Sequence, residues 1–221
     1  MRDILSDYDV WGAFWGTIQL SVLGTIGAMI FGTIVAILRL SPVRLFQGIG
    51  TWYVNTFRNT PLTLLMLFSI LGLSFILGIQ LDPTDLKGNA FRWAAMMLAI
   101  YHGAFICEAL RSGVNTVPAG QAEAARAIGL TFSQSMQHVL LPQALRGSIA
   151  PIGSTIIALI KNSTVAAVIG AGEAANLMSV VIENEGSRFS VFLVFAIGFV
   201  ILTLPLGLLF TSLSRRLAVK R

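Results

Sequence analysis

The chain has 221 residues, 55% of them apolar and only 11% charged, with a mean hydropathy of +0.80. A water-soluble domain carries about 25% charged residues, so this composition excludes soluble enzymes and nucleic-acid-binding modules and makes the chain an integral membrane protein. The formal charge of +5 reports topology before it reports a partner, and the single cysteine, Cys107, excludes an internal disulfide and reads as a small buried apolar side chain.

The acidic start, Met1-Arg2-Asp3 through Asp7 and Asp9, lacks the charge pattern and cleavage site of a signal peptide. Five apolar stretches follow, at residues 11–38, 62–79, 93–110, 147–170 and 189–213. Each is near the roughly 20 residues that cross a bilayer, so an all-α bundle of five spans in a single transmembrane domain is expected. The first stretch would make about 42 Å of helix, more than a hydrocarbon core of roughly 30 Å, and must tilt or project. Its Gly12, Gly16, Gly24, Ala28 and Gly32 form a stripe of small residues that lets helices approach closely, within this chain or against a second subunit. Residues 43–57 carry Arg44 and lead into Arg58, Asn59 and Pro61. They read either as an interfacial helix or as the lower half of span two, broken near Pro61.

Five spans put the termini on opposite sides. With the N-terminus outside, ten of the 15 basic residues lie on the cytoplasmic side with only two acids, Glu108 and Glu123, while the outer side holds four basic residues and the other eight acids. Excess positive charge inside supports N-out, C-in. Between spans three and four, residues 112–146 form the longest polar stretch. Pro118 suits a helix's first turn, 121–128 is helix-forming, and Gly129 stands where a left-handed cap would end that helix. Thr131 with Gln134 makes a capping box for a second helix, limited by Pro142. A plain connection needs none of this, and the segment reads as a docking element for a cytoplasmic partner.

Glu123-Ala124-Ala125, Gly129, Val139, Leu141 and Pro142 resemble the EAA loop of ABC-importer permeases, with Val139 in the usual isoleucine place. The wider resemblance, over nearly the whole chain, is to the polar amino acid permeases. It rests on Arg58-Asn59-Thr60-Pro61-Leu62, where Asn59 replaces a glycine, on Glu108-Ala109-Leu110-Arg111 ahead of Gly120-Gln121, and on Lys161-Asn162-Ser163-Thr164. The runs Arg58 to Leu64, Gln121 to Arg126 and Arg216 to Lys220 are most similar to the glutamate-uptake permeases of actinobacteria. The resemblance implies a multi-pass subunit of the bacterial cell membrane, paired with a second permease subunit as a heterodimer. It also implies two cytoplasmic ATPase subunits, an extracytoplasmic amino-acid-binding protein and an amino acid substrate, surrounded by membrane lipid and without nucleic acid. The chain has no Gly-x-x-x-x-Gly-Lys-Ser/Thr loop, so it carries no cofactor or catalytic residue of its own; ATP and Mg belong to the partner ATPases. Glu123 would meet an ATPase cation, and Gly129 would permit the tight turn.

An ionisable residue near the bilayer centre costs about 2.5 to 3.5 kcal/mol on insertion scales, which makes Lys161 informative. It lies 15 residues past Arg146, about 22 Å along a helix. With Asn162, Ser163 and Thr164 it can face the substrate path and bind a carboxylate, or it can pair internally with Glu108 or serve helix-end packing. Glu108 can instead pair locally with Arg111. Arg58, beside a possible helix break, is a second path candidate or an interfacial anchor. His102 and Tyr101 read as packed polar tips. The rival reading, an ion-coupled secondary transporter, would use Lys161, Glu108 and His102 as a charge relay and leaves the EAA pattern unexplained. No metal-ligand spacing or hydrolase motif is present.

Overall fold

The structure, a computed structural model, describes residues 7–186 and 188–217. Arg2, Asp3, Lys220 and Arg221 of the charge tally lie outside the described residues. Helix α1 spans Val10–Leu40, α2 Arg44–Asn59, α3 Leu62–Ile76, α4 Leu86–Asn115, α5 Ala119–Ala127, α6 Phe132–Ile169, α7 Ala174–Glu185 and α8 Arg188–Leu217. There is no strand among the described residues. Four helices, α1, α4, α6 and α8, are long and apolar enough to cross a membrane, and the bent pair α2–α3 brings the total to as many as five.

The helices outrun the apolar stretches because their polar ends are capped beyond the hydrophobic core. At the start of α1 the Asp9 side chain accepts the Gly12 N–H at 2.8 Å, and at the start of α4 Asp85 accepts the Lys87 N–H at 3.0 Å. In the first turns of α4, Arg92 pairs with Asp82 at 2.9 Å, and Asn89 accepts the Leu81 N–H at 2.8 Å while donating to Ser74 at 2.8 Å. The connection from α3 to α4 is thereby stapled to the bundle.

Helices α2 and α3 meet at 101°. Thr60, with φ −99° and ψ 131°, is extended because the following Pro61 disfavours a helical neighbour. Residues 44–59 are therefore a separate helix and not a straight continuation of the second span. Helix α3 is π-helical from Phe68 to Ile76, reaches at most about 22 Å, and ends before Gly78 at φ +70°, short of the expected boundary at residue 79.

A second correction concerns Pro142. It does not limit a separate short helix, since α6 runs through it into the span. Proline removes a backbone donor, and the π-helical turn Met136–Leu140 immediately ahead shifts the hydrogen-bond register around it. At its far end α6 tightens into a 3-10 turn, Ser163–Ile169, closed by Gly170 at φ +72°.

The core is layered, α1 on α4 on α6, with α8 covering α6. The small-residue stripe of α1 packs inside the chain. A Cβ added at Gly24 would meet Leu98 Cβ at 3.2 Å, and one at Gly32 would lie 2.8 Å from the Gly103 carbonyl oxygen. Leu20, Met66, Trp93, Leu98 and Ala166 form one buried cluster; Val35, Ala36, Val54, Ala104 and Cys107, nearer the C-terminal end of α1, form another.

Candidate functional site

The polar stretch between α4 and α6 is ordered by its own backbone chemistry. Helix α5 follows Pro118, whose ring fixes φ at −61°. It ends with the Gly129 N–H donating to the Arg126 carbonyl at 3.0 Å and the Leu130 N–H to the Ala125 carbonyl at 3.1 Å. Gly129 has φ +84°, and this paired-bond ending places a residue in the left-handed region that penalises a Cβ. Thr131 then opens α6 with a reciprocal cap: the Gln134 N–H donates to Thr131 Oγ1 at 3.3 Å and the Thr131 N–H to Gln134 Oε1 at 2.9 Å.

Glu123 and Ala124 are exposed while Ala125 is buried, so α5 rests on the protein through one face and presents the glutamate on the other. Gln143, next to Leu141 and Pro142 on α6, donates to Gln121 at 3.4 Å and holds the two helices together. Sequence reasoning missed Ile128 and Phe132, each 77% exposed on either side of Gly129. Two bare apolar side chains beside an exposed carboxylate suit a protein surface better than water. The readable signal was a large apolar pair bracketing a glycine within a polar stretch.

The same helix that carries Leu141 and Pro142 carries the Lys161 cluster. Lys161 is exposed on the single chain and forms no ion pair among the described residues. Asn162 makes a 3.1 Å hydrogen bond with His102 Nε2, Ser163 is buried and donates to the Ile160 carbonyl at 2.7 Å, and Thr164 donates to the Lys161 carbonyl at 2.8 Å. The cluster is therefore split. Lys161 is available to a ligand, while Asn162, Ser163 and Thr164 fix the helix end and join it to α4.

Near the C-terminal end of α4, Glu108 does not pair with Lys161. It is ion-paired with Arg39 of α1 and lies 3.4 Å from Arg111 and 3.9 Å from Arg58. Arg58 also stands over the Phe105 ring, 5.5 Å from its centroid. His102 is buried, and its Nδ1 bonds to the Leu98 carbonyl at 3.1 Å. Lys161, Glu108 and His102 thus have separate partners, and no direct bond links them as a relay. The apolar clefts beside α1 and α8 are lined by residues such as Ile18, Ile26, Ile201 and Leu202 and include none of the predicted substrate residues. No cluster of potential metal ligands occurs among the described residues.

Comparison with known proteins agrees with this architecture. The glutamate transport system permease protein GluC of Corynebacterium glutamicum is 51% identical over 214 residues, covering 95% of this chain and 94% of the relative. The glutamate/aspartate import permease protein GltJ of Escherichia coli K12 is 31% identical, over 94% of this chain and 86% of its own length. A solved structure of an amino acid ABC transporter with histidines superimposes with a TM-score of 0.85 at 25% identity, over 94% of this chain and 93% of that one. Residues 28–219 match the family described as binding-protein-dependent transport system inner membrane component, and the chain belongs to that family of membrane permease subunits.

Proposed function

We propose that this permease imports L-glutamate, as one of two different permease subunits served by two cytoplasmic ATPases and an extracytoplasmic binding protein. The observation that carries the reading is the 51% identity, over 95% of the chain, with a glutamate transport permease. In this reading the chain crosses the membrane five times, N-terminus outside and C-terminus in the cytoplasm, with the bent pair α2–α3 as its second crossing. Substrate is handed over outside, and ATP with Mg is bound and hydrolysed entirely on the partner ATPases.

Coupling is assigned to Glu123, Ala124, Ala125, Gly129, Leu141 and Pro142. Glu123 supplies a charge to an ATPase cation, Ile128 and Phe132 supply apolar contact, and the capped turn transmits displacement because its orphan backbone groups are already satisfied. Helix α6 runs as one continuous helical element from Phe132 to Ile169, through a π turn and into a 3-10 end, so force applied at the loop reaches Lys161 along one element. Alternating access then follows from reorienting α6 and the α3 turn packed on its outer end. Lys161 offers an ammonium to a substrate carboxylate, with Asn162, Ser163 and Thr164 setting its height and Arg58 as a second cationic position on the path.

The test is ATP-dependent uptake of labelled glutamate, glutamine, aspartate and arginine into proteoliposomes containing the whole complex. Glutamate uptake that requires ATP and is lost in both Glu123→Ala and Lys161→Ala is the expected result. Uptake without ATP, or a silent Glu123→Ala, overturns the coupling assignment; a silent Lys161→Ala overturns only the substrate assignment.

A further inference from the structure

The inner end of the bundle holds more positive charge than it neutralises. Arg39, Arg58 and Arg111 converge from three helices on one oxygen, Glu108 Oε1. One carboxylate among three guanidiniums leaves two positive charges without an acid of their own among the described residues. The three arginines are not equivalent. Arg39 is the most buried, with 13% of its side chain exposed, and is the true ion-pair partner of Glu108. Arg111 and Arg58 are 31% and 44% exposed and stand at 3.4 and 3.9 Å, beyond the roughly 2.7–2.9 Å of a strong charge-assisted hydrogen bond. Since both reach the same oxygen, their Nη1 atoms are no more than about 7.3 Å apart.

We propose that Arg58 and Arg111 form an anion site at the cytoplasmic end of the transport path, which receives the side-chain carboxylate of the acidic amino acid as it leaves. The proposal rests on the import reading above. Its chemistry follows from the fork geometry of guanidinium, which matches a carboxylate and does not match a neutral amide. Glu108 acts as the resident competitor. With no substrate present it occupies the two arginines loosely; when a substrate carboxylate arrives it keeps Arg39 and yields the other two. A site already half filled by an internal carboxylate binds weakly enough to let its ligand go, which an exit requires. The placement along the path is also suitable. His102, bonded to Asn162 beside Lys161, and Glu108 lie on the same face-forming helix six positions apart, about 9 Å of rise. Lys161 and the arginine pair would thus be successive cationic stations, the second nearer the cytoplasm.

An exit site predicts inhibition by the product from the cytoplasmic side. The assembled complex is placed in proteoliposomes with ATP and a chosen amino acid in the lumen, and initial glutamate uptake is followed. In the wild type, luminal glutamate slows uptake and luminal glutamine does not. Arg58→Gln and Arg111→Gln each raise the luminal glutamate needed for half inhibition by about tenfold, as for loss of one hydrogen bond to a charged group; Arg58→Lys, which keeps the charge and loses the fork, falls between. If Arg58→Gln does not assemble, Arg111→Gln and Arg58→Lys carry the same comparison. Wild-type uptake that ignores luminal glutamate, inhibition equal for glutamine, or inhibition unchanged in the variants overturns the proposal. So does a shift that appears only when phosphatidylglycerol is added to phosphatidylcholine vesicles, which would give the arginines to lipid headgroups. Absence of ATP-driven glutamate uptake in the wild type is a different result, since it overturns the import reading itself.

Discussion

Glu173 shows how much one side chain can control where it caps a helix in a buried place. It lies between α6 and α7, is 1% exposed, and accepts the Ala175 and Asn176 N–H groups at 2.7 and 2.8 Å. Thr17 of α1 faces it, 3.5 Å from Oε2, and accepts the Ala174 N–H at 3.0 Å. Among the described residues no cationic side chain forms an ion pair with it; it is held by those backbone amides and the Thr17 hydroxyl. Burial pushes the carboxyl up to about 7 from an ordinary 4.5, against the opposing pull of those hydrogen bonds. The sign follows by linkage. Between pH 4.5 and about 7 the folded protein keeps a proton that the unfolded chain has released, so docking of α7 is strongest in acid and weakens as pH rises through 7. The full effect is about 3 kcal/mol. Hydrogen exchange of residues 174–185 in the intact complex, corrected for intrinsic rates, should show less protection at pH 8 than at pH 5.5. Glu173→Gln, which removes the titrating group while its single amide oxygen can still accept from one of the two backbone amides, should abolish that difference; an unchanged pH dependence would locate the titration elsewhere. The sequence reading passed over Glu173 because glutamate is a weak cap by preference and hydropathy has nothing to say between spans. Glu108 with Arg111 was legible at i, i+3 spacing, whereas its pairing with Arg39, 69 positions away, is a tertiary contact that no local pattern carries.

Among the elements, the turn between α5 and α6 has the sharpest sequence requirement. Gly129 at φ +84° has open space around its Cβ position, so a substitution there is resisted by backbone conformation alone and not by crowding. Alanine should cost about 1–2 kcal/mol, and valine more, because a branched Cβ narrows the backbone further. The expected phenotype of Gly129→Val is a complex that assembles, is cut by trypsin after Arg126 sooner than the wild type, and hydrolyses ATP without matching uptake. Gly129→Val with normal uptake per ATP would show that the turn is not the coupling element. This helix, glycine turn and capping box were all legible, since each depends on residues within a few positions of one another. The extent of α6 was not. Pro142 reads locally as a stop, and only the π-helical turn ahead of it and the packing of Gly113 against Ser148 let one helix pass from the loop into the membrane. The right-angle bend after α2 was legible as a break at Pro61, but its size depends on how α2 packs across α1 and α4 through Gly50, Tyr53 and Val54. Tyr53, for example, donates to the Ile100 carbonyl at 2.5 Å.

For the whole molecule the open face is the decisive feature. Helix α8 is largely bare, with Ile201, Leu204 and Leu208 among its most exposed side chains, and α1 also exposes Ile26, Ile30 and Ile34, so the bundle leaves apolar faces uncovered on both helices. Lipid can cover such a surface, but lipid cannot close a polar path, and among the described residues Lys161 forms no ion pair. On the proposed reading a second bundle would be needed to enclose it. Charge argues against that second bundle being another copy. Each chain contributes Lys161 and two uncompensated guanidiniums, and a symmetric pair would set two such groups around one path, where like charges at short range in a low dielectric repel. On the proposed reading, a different permease chain with fewer cations at this end would relieve the repulsion. Native mass spectrometry of the complex purified through this chain should therefore give one copy of it, one copy of a different permease and two ATPase subunits. Two copies of this chain in an active complex would contradict the heterodimer, and the surplus charge at Arg58 and Arg111 would then have to be neutralised by anions bound in pairs.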